Sequence, residues 1–476
     1  MKFIDRKNEM ARLDALVARH ATGLVVLWGR RRVGKTRLLT EWCHHNGGVY
    51  TVADQSAESV QRRYFAEAIA ARLPNFNETE YPDWRTLLRR LAQDARAANW
   101  KGPLILDEFP YLVAASPTLP SIIQNWIDHE VSAGGLLVAI AGSSQRMMQG
   151  MILDANAPLY GRALEAMELR PLPAGWIGPA LGLADPVEMV RAYAVWGGIP
   201  RYWELAEPFH GDIDRSVDEL VLNPLGPLHR EPDRLLLEEM PPAAGLRPLL
   251  DVIGSGAHRL SEMAGRLNQP ATSLTRPVGR LVDLGLVRRE IPFGESEKTS
   301  RRALYRINDP FFRLWFQVVA PHRAVFAGSA DVTRQAIWDR LKAGLIAEVW
   351  EVLCRAAVPR LQTLSNSDVS SPWLPAGRWW RGSDPEWDVV TCTADRRMAL
   401  VGEVKWSAKP MEETELEKIA RIMLGRPLPA HLPRQTQYAV FVPKSALGKP
   451  VTHSGVRIVE ADAILRDPST SLGMTY

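Results

Sequence analysis

Only three cysteines, Cys43, Cys354 and Cys392, are spread over the 476 residues. They lie far apart with no CxxC pair, which argues against a disulfide framework or a zinc site. The ten histidines form no spaced pair of metal-motif type. No apolar stretch approaches the ~18 residues of a membrane span, and the longest, Gly135 to Ala141, is strand-sized. The opening MKFIDRKNEMARLDALV is charged and amphipathic and lacks the apolar centre of a secretory leader. A reducing cytoplasm and no membrane association are therefore expected. The net charge of +4 is too small to argue for nucleic acid by itself, so that case rests on local basic clusters. Internal repeats and low-complexity tracts are absent too. What is present is ordinary for globular protein, 46% hydrophobic and 24% charged residues, with length enough for several domains of ~100–200 residues.

The first 165 residues alternate short apolar runs (Leu24–Trp28, Val49–Val52, Leu104–Leu106, Leu136–Ala141) with helical or turn-rich sequence. That alternation predicts an α/β domain with a parallel sheet covered by helices. Residues 166–240 read as helices broken by Pro and Gly, which fits a helical lid, and Glu231 to Gly245, with Pro241-Pro242, reads as a linker. Residues 241–325 give three helices and a hairpin, the order of a winged helix-turn-helix. Residues 326–476 begin with a long helix and continue with strands around Trp387–Thr393 and Arg397–Trp406.

A glycine loop, Gly29-Arg30-Arg31-Arg32-Val33-Gly34-Lys35-Thr36, follows the first apolar run and opens the helical stretch Arg37 to His44. Backbone N–H groups at such a strand–loop–helix junction face an anion, and the glycines permit the close approach of phosphate. Lys35 is placed to reach the β- and γ-phosphates and Thr36 to hold Mg²⁺. The run Pro103 to Glu108 sets Asp107 at a strand's end as a second Mg²⁺ holder and Glu108 beside it as general base. The strand ending in Gly142-Ser143-Ser144 offers Ser144 as a sensor of the γ-phosphate. Arg30, Arg31, Arg32 and Arg37 add positive charge, as phosphate contacts or as solvated surface. Arg162 is either a completing arginine or an ordinary ion-pair partner.

Phe3-x-x-Arg6-x-x-Glu9, GRRRVGKT, LDEFPYL, GSS, LYGR and GGIPRY occur here in the order seen in archaeal-type ATPases. The first 230 or so residues resemble that family, a branch of the AAA+/STAND P-loop class similar to origin-recognition ATPases. The resemblance implies ATP rather than GTP, and implies that Phe3 and Arg6 lie near the adenine.

In a winged helix the second helix of the turn motif enters the major groove and the wing follows the backbone. The helix Ala271 to Leu284 carries Thr272, Ser273, Thr275, Arg276 and Arg280 opposite an apolar stripe of Leu274, Val278, Leu281 and Leu284. Arg288, Arg289, Lys298, Arg301, Arg302 and Arg306 supply the wing with positive charge, making DNA the expected partner through salt-sensitive phosphate contacts.

Hydrolysis of a phosphodiester needs a metal on the scissile phosphate and a cation near the developing charge. A hairpin turning at Asp395-Arg396 as a two-residue loop sets Asp388 across from Glu403, with Cβ atoms about 4.5–5.5 Å apart. Glu403 and Lys405 then share one side of the strand. Glu348, in the amphipathic stretch Ile337 to Val358, is the chosen third carboxylate for the metal, with Glu351 the alternative one turn on. The pattern Gly344, Glu348, Trp379-Trp380-Arg381, Asp388, Glu403-x-Lys405 resembles the PD-(D/E)XK nuclease fold, and archaeal-type ATPases with such a C-terminal domain form a known architecture. The expectation is an ATP-binding, ATP-hydrolysing protein that binds DNA and couples nucleotide state to a Mg²⁺-dependent nuclease-like domain. The alternative is an ATP-dependent switch that binds DNA or protein without cutting. A second copy or another protein as partner stays open.

Overall fold

The computed structural model describes residues 2–466 apart from 132–134, 144, 153, 156, 240–244, 299, 329, 362–363, 365–370, 383, 448–451 and 454. The chain forms two compact units: residues 2–172 with 199–201, and residues 173–198 with everything from 202 onward.

In the first unit the apolar runs become β1 (Gly23–Trp28), β2 (Val49–Val52), β3 (Leu104–Asp107) and β4 (Leu137–Gly142), followed by β5 (Ala163–Glu168). The sheet is wholly parallel, in the order β2-β3-β4-β1-β5. β1 is buried throughout because both its faces are covered. Leu24, Val26 and Trp28 join one core, while Val25 and Leu27 join the other. The insertion of β4 between β1 and β3 brings the ends of all three strands to one edge, where ligands of open α/β sheets bind. β5 has no counterpart among the expected strands. Its sequence, Ala-Leu-Glu-Ala-Met-Glu, consists of good helix formers, and pairing with β1 overrides that preference.

In the second unit, Arg247–Gly254, Leu260–Leu267 and Ala271–Asp283 are helices, followed by a hairpin of β6 (Val287–Glu290) and β7 (Leu304–Ile307). Helix Ala271–Asp283 buries Leu274, Val278 and Leu281, the expected stripe. The linker expected from Glu231 instead begins as a helix, Glu231–Glu239, since its Pro lies in the first turn, where no intrahelical N–H is lost. Pro241-Pro242 lie outside the described residues.

A mixed sheet of β8 (Gly377–Trp379), β9 (Trp387–Cys392), β10 (Met398–Val404), β11 (Gln435–Phe441), β12 (Thr452–His453) and β13 (Val456–Val459) runs β12-β13-β11-β10-β9-β8. β8, β9 and β10 are an antiparallel meander, whereas β10–β11 and β11–β13 are parallel. Helix Asp331–Ala357 covers one face through Ile346, Val349 and Trp350. Helix Glu413–Leu424 covers the other through Leu416, Ala420 and Met423. Ala174, Val190 and Ala194, from the segment expected as a lid, also belong to the first of these cores. The β9–β10 turn is longer than expected: Thr393 and Met398 close it, and Arg396 takes a left-handed φ of 56°. It remains centred on Asp395-Arg396, so the register is unchanged, with Cys392 opposite Ala399 and Val389 opposite Gly402. Among the described residues no helix is long and apolar enough to cross a membrane.

Candidate nucleotide site and carboxylate site

The loop after β1 owes its shape to two glycines. At Gly29, φ is 153° and an added Cβ would sit 2.4 Å from the Leu169 carbonyl oxygen, so no side chain fits. Gly34, at φ 99°, caps helix Lys35–His45. Val33 is fully buried and anchors the loop. Lys35 is buried, and its Nζ donates to the Gly29 and Arg30 carbonyls at 2.8 and 3.0 Å. The ammonium group therefore sits inside the curve of the loop.

Thr36 Oγ1 donates to Asp107 Oδ2 at 2.7 Å, joining two motifs 71 residues apart in sequence. Asp107 is 1% exposed, and its Oδ1 accepts the Glu108 N–H at 2.8 Å. A hydroxyl and a carboxylate are hard oxygen donors, the chemistry that Mg²⁺ selects, so this pair fits the ion. Glu108 takes a left-handed backbone (φ 51°) at the start of the next helix. Both its carboxylate oxygens accept from Ser143 Oγ, at 2.7 and 2.8 Å. Ser144 lies outside the described residues.

Arg6, expected beside the adenine, is held by protein groups of this unit. It is 4% exposed and donates to the carbonyls of Val33 and Arg170 and to the Glu9 carboxylate. These bonds clamp the start of the chain to the glycine loop. Phe3 packs against the core that contains Leu13, Leu16 and Leu38. Arg31 donates to the Tyr111 hydroxyl, Arg37 pairs with Glu41, and neither Arg30 nor Arg32 lacks a partner. Arg162 forms an ion pair with Asp128 at 2.9 Å. Sequence reasoning missed Tyr50, which donates to Asp107 Oδ2, and took Ser144 from the Gly142-Ser143-Ser144 motif where Ser143 is the residue bonded to Glu108. Tyr50 belongs to no spaced motif; its signal is a polar side chain on the strand that pairs with β3.

In the second unit, Asp388 and Glu403 stand on adjacent strands, and the register carries them opposite one another. Asp388 Oδ2 accepts the Val404 N–H at 3.0 Å. Lys405 Nζ lies 2.7 Å from Glu403 Oε1, as the shared face requires, and Arg426, which stacks on Trp387, holds Oε2 at 2.7 Å. Val404 is buried beneath, and Trp406 packs on the same core. Trp380 is buried and Trp379 packs on the opposite face, so both serve the core.

Glu348 is not with them. It points to Arg306 and Arg313, at 3.7 and 3.5 Å, because three positions along a helix turn it away from Glu351 by about 60°. Glu351 is the helix carboxylate whose charge reaches Asp388, and Arg355 bridges the two by donating to Glu351 and to the Asp388 carbonyl. Among the described residues, no group of three or more His, Cys, Asp or Glu side chains converges as a metal cage. A divalent ion here would rest on Asp388 and Glu403, a pair sufficient for Mg²⁺, which keeps several waters.

Burial, then the negative charges of Glu351 and Glu403, hold the Asp388 carboxyl at about 6, above its ordinary 3.8. The folded protein therefore binds this proton more tightly than the unfolded chain does. Stability falls as pH rises from about 4 to 6 and stays lowered above that range. Asp388→Asn is expected to stabilise the protein at pH 7 by on the order of 1–3 kcal/mol, an advantage that vanishes near pH 4. Urea unfolding at the two pH values measures this, and an equal difference at both would refute it.

The loop between β6 and β7 docks on the edge of this sheet. The Phe293 N–H donates to the Arg378 carbonyl at 2.7 Å, and Arg302 donates to the Trp380 carbonyl at 3.1 Å. Most of the arginines expected to face DNA from this hairpin have protein partners instead. Arg288 and Arg306 pair with Glu290, whose carboxyl is drawn down to about 2 against the cost of burial by Arg288, Arg355 and Arg306. Arg289 bonds the Glu297 and Ser300 carbonyls. Lys298 and Arg301 are exposed, as are Thr272, Ser273, Thr275 and Arg276 on the preceding helix.

Residues 3–204 match the model of an ATPase domain found predominantly in Archaea. Residues 315–419 match a family of archaeal and bacterial proteins of unknown function. An uncharacterized protein of Methanocaldococcus jannaschii, MJECL04, is 25% identical over 452 residues, covering 94% of this chain and 97% of that one. Among solved structures, the Walker-type ATPase PABY2304 of Pyrococcus abyssi is similar with a TM-score of 0.52 and 18% identity, over 66% of this chain and 96% of that one. The ORC2 protein of Aeropyrum pernix aligns at a TM-score of 0.42 and 14% identity, over 73% of this chain and 96% of that one. The ATPase-domain match over residues 3–204 coincides with the stretch that holds the parallel sheet and the glycine loop, the fold of a P-loop ATPase.

Proposed function

We propose that this chain couples ATP hydrolysis in its first unit to DNA held by its second, where Asp388, Glu403 and Lys405 form a Mg²⁺-dependent nuclease-like centre. The observation that carries the nucleotide half is the 2.7 Å contact between Thr36 and Asp107, which joins the two motifs of an ATP·Mg²⁺ site. Lys35 and the loop N–H groups bind the phosphates, and Glu108 takes the proton of the attacking water. When bound, Mg²⁺ neutralises charge on the phosphate oxygens. Lys35→Ala is expected to weaken ATP binding by at least ~10²-fold through loss of a preorganised cation, measured by titration calorimetry. Tight binding in that variant rejects the cradle.

DNA contact through helix Ala271–Asp283, read as the recognition helix of a winged helix, is supported by its exposed polar face opposite a buried stripe. The nuclease-like reading draws on two carboxylates and a lysine on one face of β9 and β10. The order helix, three-stranded meander, helix, parallel strand also resembles the PD-(D/E)XK core. A second reading, a switch that grips DNA or protein without cutting, is favoured by the Lys405 and Arg426 contacts that occupy both oxygens of Glu403. Incubation of the protein with supercoiled and linear DNA, Mg²⁺ or Mn²⁺, with and without ATP, decides between them. Metal-dependent cutting supports the first reading; binding without cutting supports the second.

A further inference from the structure

Asp107 receives a hydrogen bond that no nucleotide motif supplies. Tyr50, on β2, donates its hydroxyl to Asp107 Oδ2 at 2.7 Å, the oxygen that also accepts from Thr36. The Glu108 N–H takes Oδ1. The side-chain carboxylate torsion of an aspartate is broad, so a single donor would leave its orientation loose. Here the donors come from three separate elements: the helix after the glycine loop, the neighbouring strand and the residue following β3. Strand alternation puts Tyr50 on the sheet face covered by helix Lys35–His45, where it packs against the core containing Leu39, Trp42 and Ile105.

We propose that Tyr50 is a positioning residue of the magnesium site, fixing the rotation of the Asp107 carboxylate so that it meets the ion already oriented. The assignment rests on the nucleotide-site reading above and adds to it a residue outside the known motifs. Residues that hydrogen-bond a metal-binding group typically change metal affinity by 10–100-fold when removed, because they spend the ordering cost in advance.

The test is Tyr50→Phe, which keeps the packed ring and deletes the donor. Wild type and variant, stripped with EDTA, are titrated with Mg²⁺ while binding of a fluorescent ATP analogue is followed. The Mg²⁺ concentration giving half of the metal-dependent increase in binding is expected to rise roughly tenfold, with binding in EDTA unchanged. An unshifted Mg²⁺ curve overturns the assignment. So does equal weakening with and without Mg²⁺, which would mean that Tyr50 shapes the pocket and not the metal site. Lys35→Ala, run beside it, separates the two claims. Retained nucleotide binding there rejects the cradle and the Tyr50 role with it. Lost binding there, with an unshifted curve in Tyr50→Phe, rejects the Tyr50 role alone.

Discussion

Glu108→Gln is expected to lower ATP turnover by ~10²–10⁴-fold while leaving ATP binding near the wild-type value. A general base contributes by accepting a proton in the transition state, and an amide cannot do so at neutral pH. The binding groups (Lys35, the loop N–H groups and the Thr36–Asp107 pair) lie on other elements and are untouched by the change. The Ser143 hydroxyl, which now donates to the carboxylate, can donate equally to the glutamine carbonyl, so the side chain keeps its anchor. The measurement is phosphate release under saturating ATP together with calorimetric binding. Turnover within tenfold of wild type would remove Glu108 from the chemistry and leave the water to be activated by another group.

Metal-dependent DNA cutting, if it follows the proposed chemistry, is expected to disappear in Glu403→Ala, with a fall of ~10³-fold or more where a metal-holding carboxylate supplies several kcal/mol. Loss of Glu403 deletes one of the two opposed carboxylates and leaves Lys405 and Arg426 without their shared partner. Those freed cations attract phosphate, so DNA binding should persist or strengthen while cutting is lost. That separation between binding and cutting is what a merely unfolded variant would not show. Plasmid nicking with Mn²⁺ and fluorescence anisotropy on the same preparations measure the two quantities. Undiminished cutting by Glu403→Ala would discard the Asp388–Glu403 centre.

Glu348 and Glu351 illustrate the boundary of sequence reasoning. Both sit on the amphipathic helix Asp331–Ala357, and periodicity alone does not say which one turns to the sheet. The choice was made by Arg306 and Arg313, which lie far from both in spacing but gather around Glu348 in the fold. The hairpin arginines behaved likewise. A row of basic residues reads as a DNA-facing wing until Glu290 and the edge of a distant sheet are known to engage it.

By itself the sequence determined the buried strands, the glycine loop, the Lys35–Thr36 and Asp107–Glu108 pairs and the opposition of Asp388 and Glu403. Each of these follows from local rules: apolar runs, positions where only glycine fits, and a strand register that depends only on where a turn is centred. The tertiary structure alone decided that β5 is a strand, that Arg6 clamps the loop, that Tyr50 and Ser143 join the nucleotide site, and that Glu351 rather than Glu348 stands near Asp388. Those outcomes depend on which buried polar group finds a partner from a remote segment. The cost of leaving such a group unpaired is settled only when the chain has closed around it.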